Sequence, residues 1–456
     1  MSSTRAEAGH ILRLAVPVIV AQIGLMMLGV VDNLMLGNFD MHEFGASALG
    51  RLWVIGTLYV GMGLVMGIDP LISHAHGAGD SAAARLALER GIVLGLAIAL
   101  PIGALWFFTE EVLLLAGQQP GLARGAEGYA LAQLPGLPAW LVFTALRTYL
   151  QGRGVMRPAM WVALGANVLN AFGNWVLIYG KFGVPSLGAV GAGIATGVTE
   201  VAMATALWIL VARWHRARGE RLAWSFQALR WSGLSVVAKQ GAPVALMLGL
   251  ELWAFQLANV FAGWLGEAEL GAHTIVLNLA SLSFMVPLGI SMGTSTRVGN
   301  LIGSGDPHGA QRAAWAGFAL GAGVMACFAV VFLLGRERLP ALYTPDVDVR
   351  MLGAAILPIG AAFQVFDGLQ VVGCGILRGM GKPRPAAAFN LIGYYAFALP
   401  IGWWLAFRDG HGLAGLWWGL SLGLAIVALS CVAWVAWRGP AHAVSLASAS
   451  RENEGA

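Results

Sequence analysis

Long apolar segments separated by short polar connections run along the chain to about residue 437. Each is close to the roughly 20 residues that a helix needs to cross the hydrocarbon core of a bilayer. The alternating strands of about ten residues that build a membrane barrel are absent from the pattern. Because backbone groups in lipid must be satisfied within their own segment, the pattern predicts helices. The twelve predicted spans are 11–36, 46–73, 88–108, 127–150, 158–180, 187–212, 239–264, 270–298, 312–335, 350–377, 386–407 and 412–437.

Composition excludes an ordinary soluble protein. The 456 residues are 58% hydrophobic and 11% charged, whereas soluble domains carry about 25% charged residues. Cys327, Cys374 and Cys431 lie far apart in apolar runs, so they are expected to be small buried residues rather than disulfides or zinc ligands. The sequence contains no Walker-type nucleotide-binding motif and no G-x-S-x-G or H-E-x-x-H motif. The composition therefore predicts a membrane protein that is not an enzyme and has no cofactor.

Loop charges indicate an orientation. With the N-terminus placed in the cytoplasm, 20 of the 27 Lys and Arg residues fall in cytoplasmic segments, and seven, including Arg51, fall on the other side. Basic residues concentrate in the cytoplasmic loops of membrane proteins. We therefore expect an even number of spans with both termini in the cytoplasm.

Short matches recur about 226 residues apart, such as FGASALG at 44–50 and LGAHTIV at 270–276. They predict two homologous halves of six helices in parallel orientation. The basic connection between the halves is expected to be either an interfacial helix or a solvated segment whose charges enforce topology. The predicted domains are an N-terminal lobe at 1–212, a cytoplasmic linker at 213–238, a C-terminal lobe at 239–440 and a cytoplasmic tail at 441–456.

Five acidic residues lie more than one helical turn inside the predicted spans. An ionisable side chain near a helix centre costs about 2.5 to 3.5 kcal/mol on insertion scales, so each is a functional candidate by default. No Lys or Arg is predicted at comparable depth. The carboxylates must therefore bind a cation, take up a proton, face water or hydrogen-bond to neutral groups. The five acids are Asp32, Asp69, Glu200, Glu251 and Asp367.

Two of these acids have amide neighbours in the C-terminal half. Glu251 is followed by Gln256 and Asn259, and Asp367 is flanked at i−3 and i+3 by Gln364 and Gln370, which we expect to share one helical face with it. Oxygen-rich groups suit a hard cation such as Na+, or a shared proton. The sequence therefore predicts a cation site at Glu251 and Asp367, with a protonated, hydrogen-bonded core carboxyl as the alternative.

A second polar site is predicted around Asp32. Asn167, Asn170 and Asn174 recur on one face of a later helix, although asparagines can also simply join helices through hydrogen bonds. Asp69 lies near a helix end, where its carboxylate can reach water. Glu200 has no evident partner outside its own helix, which favours a protonated packing residue over a role in transport.

The order and spacing of several motifs resemble the multidrug and toxic compound extrusion (MATE) family, in its NorM-type branch. The resemblance implies an inner-membrane antiporter that exports amphipathic, often cationic drugs and dyes in exchange for Na+ or H+. It assigns Glu251 and Asp367 to a cation site in the C-terminal lobe, and Asp32 with Asn170 and Asn174 to a site in the N-terminal lobe. A monomer is expected. The matching stretches are VDNLMLG at 31–37, GAGD at 77–80, MGTSTRVGNLIGSGDP at 292–307 and LRGMGKPRP at 377–385.

Three other functions are considered. A lipid-linked glycan or lipid flippase of related architecture would be expected to carry basic residues in its cavity for a pyrophosphate, and the acids found here favour the antiporter. An intramembrane enzyme would show a nucleophile and a base or a metal cluster. A passive channel would conduct ions without exchanging substrate. The expected mechanism is alternating access, in which two lobes rock about a central cavity.

Overall fold

The computed structural model describes residues 4–219 and 224–443. Within these ranges the chain forms helices joined by short turns, and no strand occurs there. Among the described residues, 11 helices are long and apolar enough to cross a membrane, or up to 12 if one bent pair is a single span. The predicted all-helical membrane fold is confirmed. The helices are α1 (Thr4–Gly37), α2 (Met41–Val65), α3 (Asp69–Gly77), α4 (Ser81–Trp106), α5 (Thr109–Leu115), α6 (Pro120–Ala132), α7 (Gly136–Gly152), α8 (Arg157–Tyr179), α9 (Gly188–Arg216), α10 (Trp231–Leu265), α11 (Glu267–Gly303), α12 (Pro307–Gly335), α13 (Arg338–Ala341), α14 (Val347–Gly379), α15 (Pro383–Asn390), α16 (Leu399–Trp403) and α17 (Gly412–Arg438).

Two predicted spans are less regular than expected. The fourth, predicted as one helix at 127–150, consists of α6 and α7, which are bent by 54° across a short break that ends at Pro135. Proline supplies no N–H to a helix and disfavours the helical conformation of the residue before it. The eleventh contains π-helical segments at Leu391–Ala398 and Trp404–Arg408, on either side of the short α16 with its Pro400.

The connection between the two halves is shorter than predicted. Helix α9 continues to Arg216, α10 already begins at Trp231, and a 3-10 turn at Phe226–Leu229 lies between them. The alternative of a separate interfacial helix finds no support in the described part of this connection. Residues 220–223 and 444–456 lie outside the described ranges. Arg221 of the predicted linker and most of the predicted tail fall among these residues.

Acidic side chains fix the starts of helices that carry the sites described below. The Asp40 carboxylate accepts hydrogen bonds from the N–H groups of His42 at 2.8 Å and Glu43 at 3.0 Å, at the start of α2. Glu43 in turn accepts from the N–H of Ala189 at 2.7 Å, in the first turn of α9. An anion at a helix N-terminus satisfies unpaired N–H groups and interacts favourably with the helix dipole. Glu43 therefore holds α2 against α9.

The described chain divides into two compact units. The N-terminal unit contains Val20–Ile72 and Ser81–Ala245, and the C-terminal unit contains residues up to Ile19, Ser73–Asp80 and the residues from Leu246 onward. Helices α1, α3 and α10 each contribute residues to both units. The sequence-based boundaries at 212 and 239 follow chain order and stay a prediction.

The 226-residue repeat is visible in close helix contacts. In the N-terminal unit, Gly63 of α2 lies against the backbone of Ala245 in α10, and in the C-terminal unit, Gly289 of α11 lies against the backbone of Ile19 in α1. Each residue of one pair is 226 positions from its counterpart in the other. Small residues at these positions let helix backbones approach closely. The predicted homologous halves are therefore present in the packing as well as in the sequence.

Replacement of Gly303 should show how tightly the C-terminal unit is packed. A Cβ added there would collide with the backbone of His74, a residue of α3 that belongs to the same unit. We expect Gly303→Ala to cost about 1–3 kcal/mol through overpacking, seen as a lower apparent unfolding temperature of the detergent-purified protein. Gly323→Ala is the matched control, because a Cβ at Gly323 in α12 meets open space. Equal unfolding temperatures for the two variants would contradict the packing argument.

Candidate cation-binding sites

Asp32 of α1 lies in a polar cluster with residues of α8 and α9. The Asn174 amide donates to Asp32 Oδ1 at 2.6 Å, and the Thr196 hydroxyl donates to Asp32 Oδ2 at 3.1 Å. Asn170, one turn before Asn174, accepts from the same amide at 3.2 Å. Asp32, Asn170 and Asn174 are all buried. We call Asp32, Asn170, Asn174, Thr196 and Glu200 the N-terminal acidic cluster.

Glu200 and Tyr129 complete the surroundings of Asp32. Glu200 follows Thr196 by one turn of α9, is buried, and interacts electrostatically with Asp32. Its carboxylate packs against Gly136, at the start of α7. The prediction that Glu200 has no partner outside its own helix is therefore wrong. The buried Tyr129 of α6 interacts with both carboxylates, and an aromatic residue in an apolar run carries no sequence signal of this role.

Asn167 and Asp69 take other positions. The Asn167 amide donates to the carbonyl oxygens of Gly24 at 2.8 Å and Ala163 at 2.9 Å, so it joins α8 to α1, which is the helix-joining alternative considered for these asparagines. Asp69 is fully buried at the first turn of α3. The prediction that its carboxylate reaches water near a helix end is therefore wrong.

Glu251 of α10 and Asp367 of α14 form the centre of a second cluster. The two carboxyl groups interact electrostatically, and Glu251 hydrogen-bonds to the side chain of Gln370. Gln370 also donates to Asn390 Oδ1 at 3.3 Å, and Tyr394 interacts with both acids. All of these residues except the half-buried Glu251 are buried. We call Glu251, Asp367, Gln370, Asn390 and Tyr394 the C-terminal acidic cluster.

The donor atoms of this cluster suit a small cation. Gln370 Oε1 and the Tyr394 hydroxyl are buried and have no hydrogen-bond partner within the described residues. Both offer oxygen atoms next to two carboxyl groups, and hard cations are bound by oxygen ligands. The donor set therefore fits Na+, and the paired carboxyl groups fit a shared proton equally well.

The predicted amide neighbours are not all part of this cluster. Gln364 donates to the Ser283 hydroxyl of α11 at 2.6 Å, away from the partners of Gln370. The two glutamines are six residues apart, which separates them by about 120° around a helix, and they bond to different elements, so the prediction that they share one face is wrong. Asn259 donates to Gln256 at 3.3 Å, and these two form a pair of their own.

The sequence pattern did not indicate Asn390 and Tyr394. They lie at the end of α15 and in the π-helical segment that follows it, and π-helical turns frequently occur at functional sites. A polar Asn390 upstream of a proline within an apolar run was the available signal.

The prediction that the cysteines are buried is confirmed for two of the three. Cys374 accepts a hydrogen bond from Asn390 at 3.6 Å and is buried, as is Cys431. Cys327 is exposed, so the prediction is wrong for that residue.

A basic residue lies beside the N-terminal acidic cluster. Arg51 of α2 interacts electrostatically with Asp32, and its guanidinium group lies against Gly29, one turn before Asp32. Helix α2 begins at Met41, so Arg51 lies about 15 Å along it rather than in a loop. Arg51 is assigned to the outer side and lies inside the predicted span 46–73. The prediction that the buried acids have no basic residue at comparable depth is therefore wrong for this cluster.

Comparison with known proteins agrees with this architecture. The MatE family model matches residues 17–176 and 243–404, two stretches that start 226 residues apart, like the repeat. The chain is 34% identical to the probable multidrug resistance protein NorM of Bradyrhizobium diazoefficiens, over 91% of this chain and 90% of that protein. It is 33% identical to the multidrug resistance protein NorM of Burkholderia vietnamiensis, over 96% of this chain and 95% of that protein. The fold is similar to that of the eukaryotic MATE transporter AtDTX14, with a TM-score of 0.88, 24% identity, and coverage of 96% of this chain and 98% of that one. Because the family model covers both halves and relatives above 30% identity span nearly the whole length, the chain belongs to the MatE family.

Proposed function

We propose that the protein is a secondary multidrug efflux antiporter that exports amphipathic, mostly cationic compounds in exchange for Na+ or H+. Relatives that span almost the whole chain are named multidrug resistance proteins. The observation that carries the proposal is the pairing of Glu251 with Asp367 among buried oxygen donors. Intramembrane acids are costly and rare, and those that persist mark ion and substrate pathways.

Competition for these carboxyl groups couples the two fluxes. A buried carboxylate is neutralised by an inorganic cation, a proton or a cationic substrate, but two of these cannot bind it stably at once. On the outer side, the arriving ion or proton displaces the substrate. On the inner side, the substrate replaces the departing ion. Alternating access of the two homologous halves exposes the same groups to each side in turn.

Aromatic residues next to the C-terminal acidic cluster suit an amphipathic substrate. The ring centroids of Phe255 and Tyr394 are 6.0 Å apart, and those of Phe255 and Phe363 are 6.2 Å apart. Such rings supply a large apolar contact area with few directional constraints. Apolar walls with a small number of charged groups favour many aromatic cations over one defined ligand.

The protein is proposed to lie in the bacterial inner membrane as a monomer. Support for its orientation, with both termini in the cytoplasm, comes from the bias of Lys and Arg toward alternate loops. In this arrangement residues 1–212 and 239–440 are the two transport lobes, and the connection at 213–238 lies on the cytoplasmic face together with the tail at 441–456.

Efflux from proteoliposomes tests the proposed function. A Na+ gradient and a pH gradient are imposed one at a time. We expect at least one of them to drive transport of a cationic dye, and transport to stop when that gradient is collapsed. Flux is followed by dye fluorescence, with protein-free liposomes as the control. Absence of transport under both gradients would overturn the proposal. Ion conductance without dye movement would indicate a passive channel instead.

A further inference from the structure

The position of Arg51 depends on a glycine in the neighbouring helix α1. The guanidinium group occupies the volume that a side chain at residue 29 would fill, and Gly29 leaves that volume open. Gly29 itself is buried, and Arg51 is partly buried. The glycine thus admits the arginine to within one helical turn of Asp32. Glycine permits this close approach because it has no Cβ.

The charges around Asp32 are unlike those of the C-terminal acidic cluster. Arg51 acts on Asp32 and on Tyr129, so Asp32 faces a fixed positive charge. The electrostatic neighbour that acts on Asp367 is another acid, Glu251. A fixed cation beside a carboxylate lowers the attraction of that carboxylate for any mobile cation.

The repeat shows that only one half of the protein carries this arrangement. At an offset of 226 residues, the counterpart of Gly29 is Phe255, and the counterpart of Arg51 is Leu277. Phe255 packs against Tyr394 of the C-terminal acidic cluster. A bulky ring and an apolar side chain therefore stand where the N-terminal half has a glycine and an arginine.

We propose that Arg51 is a tethered counter-cation of Asp32 and determines how tightly the N-terminal acidic cluster binds a mobile cation. Asp32 is then available to a mobile cation only when the arginine side chain moves away from it. Arg51 is a positioning residue, because it acts on the transported cation through Asp32. The inference rests on the proposed function, in which buried carboxylates bind the transported cations.

Two substitutions remove the arginine from Asp32 in different ways. Arg51→Gln removes the charge, whereas Gly29→Ala keeps the charge and displaces the flexible end of the side chain. We expect Arg51→Gln to lower the Kd for tetraphenylphosphonium about tenfold, equivalent to about 1.4 kcal/mol, and Gly29→Ala to lower it several-fold. Binding is measured by equilibrium dialysis of the full-length, detergent-purified protein at one fixed pH and Na+ concentration.

Matched variants separate this role from a structural one. Arg51→Lys keeps a positive charge and should bind like the wild type. Gly24→Ala, on the same helix, adds a Cβ that meets its nearest neighbour at an ordinary 3.6 Å and should also be neutral. In an Asp32→Asn background, Arg51→Gln should change the Kd by less than threefold. Unchanged binding in Arg51→Gln, or an equal gain with and without Asp32, would overturn the proposal.

The binding assay is independent of transport. A wild-type protein that binds the probe but transports no dye under either gradient contradicts the proposed antiport, while the comparison between Arg51 variants still tests the counter-cation. Normal dye transport together with unchanged binding in Arg51→Gln overturns the counter-cation alone.

Discussion

Asp367→Asn is expected to abolish gradient-driven dye efflux, with at least about a tenfold loss of initial rate, equivalent to about 1.4 kcal/mol or more. Asp367 is buried and interacts with Glu251. Asparagine has the same size but carries no negative charge, so neither an ion nor a cationic substrate is needed to balance it. The competition that couples the two fluxes is therefore lost. The rate is measured in proteoliposomes under whichever gradient drives the wild type.

Further variants make this result specific. Glu251→Gln should cause a similar loss, and the double variant should be little worse than either single variant, because residues that act as one unit are not additive. Glu337→Gln is the matched control, since this acid of the C-terminal unit is 80% exposed. All variants should elute as folded monodisperse protein. Normal efflux from the double variant would remove the C-terminal acidic cluster from the mechanism.

The helices and the repeat could be predicted because few backbone structures can span a lipid bilayer. A spanning segment must satisfy its own backbone groups, so apolar length alone indicates a helix. The buried acids stood out for the same reason, as violations of an apolar pattern. What the pattern does not contain is a local break, such as the bend between α6 and α7 or the π-helical turns near Pro400. These depend on how one helix fits its neighbours.

Partners across helices were the least predictable part of the sites. Spacing along α14 placed Gln364 and Gln370 together, yet Gln364 bonds to α11, and Gln370 bonds to Asn390 after the next turn of the chain. Asn170 and Asn174 were predicted correctly as neighbours of Asp32, because i,i+4 spacing on one helix is a local property. Arg51 lies 19 residues from Asp32 on another helix. Its role depends on Gly29. Glycines in membrane helices usually serve close helix packing, so this glycine alone does not predict that an arginine lies against it.

Arg297→Ala is expected to destabilise the folded protein by about 3–5 kcal/mol, since it removes the arginine that pairs with a buried carboxylate. In the C-terminal unit, Arg297 of α11 donates to both carboxylate oxygens of Glu7, from Nε at 2.6 Å and from a terminal nitrogen at 2.9 Å. The Glu7 side chain is fully buried. The effect is measured as a fall in apparent unfolding temperature of the detergent-purified protein.

The geometry of this pair distinguishes charge from packing. Arg297→Lys keeps the charge but loses the two-pronged contact, so we expect an intermediate loss. Glu7→Gln combined with Arg297→Gln removes both charges and should recover part of the stability, because the buried carboxylate is removed together with the arginine that balances its charge. Arg336→Ala is the control, since its contact with Glu337 is exposed and 4.0 Å long, and such pairs contribute about 0–1 kcal/mol. If Arg297→Ala unfolds like this control, the start of α1 is held on α11 by the close approach of the Ile11 and Ala15 backbone to Gly293 rather than by the ion pair.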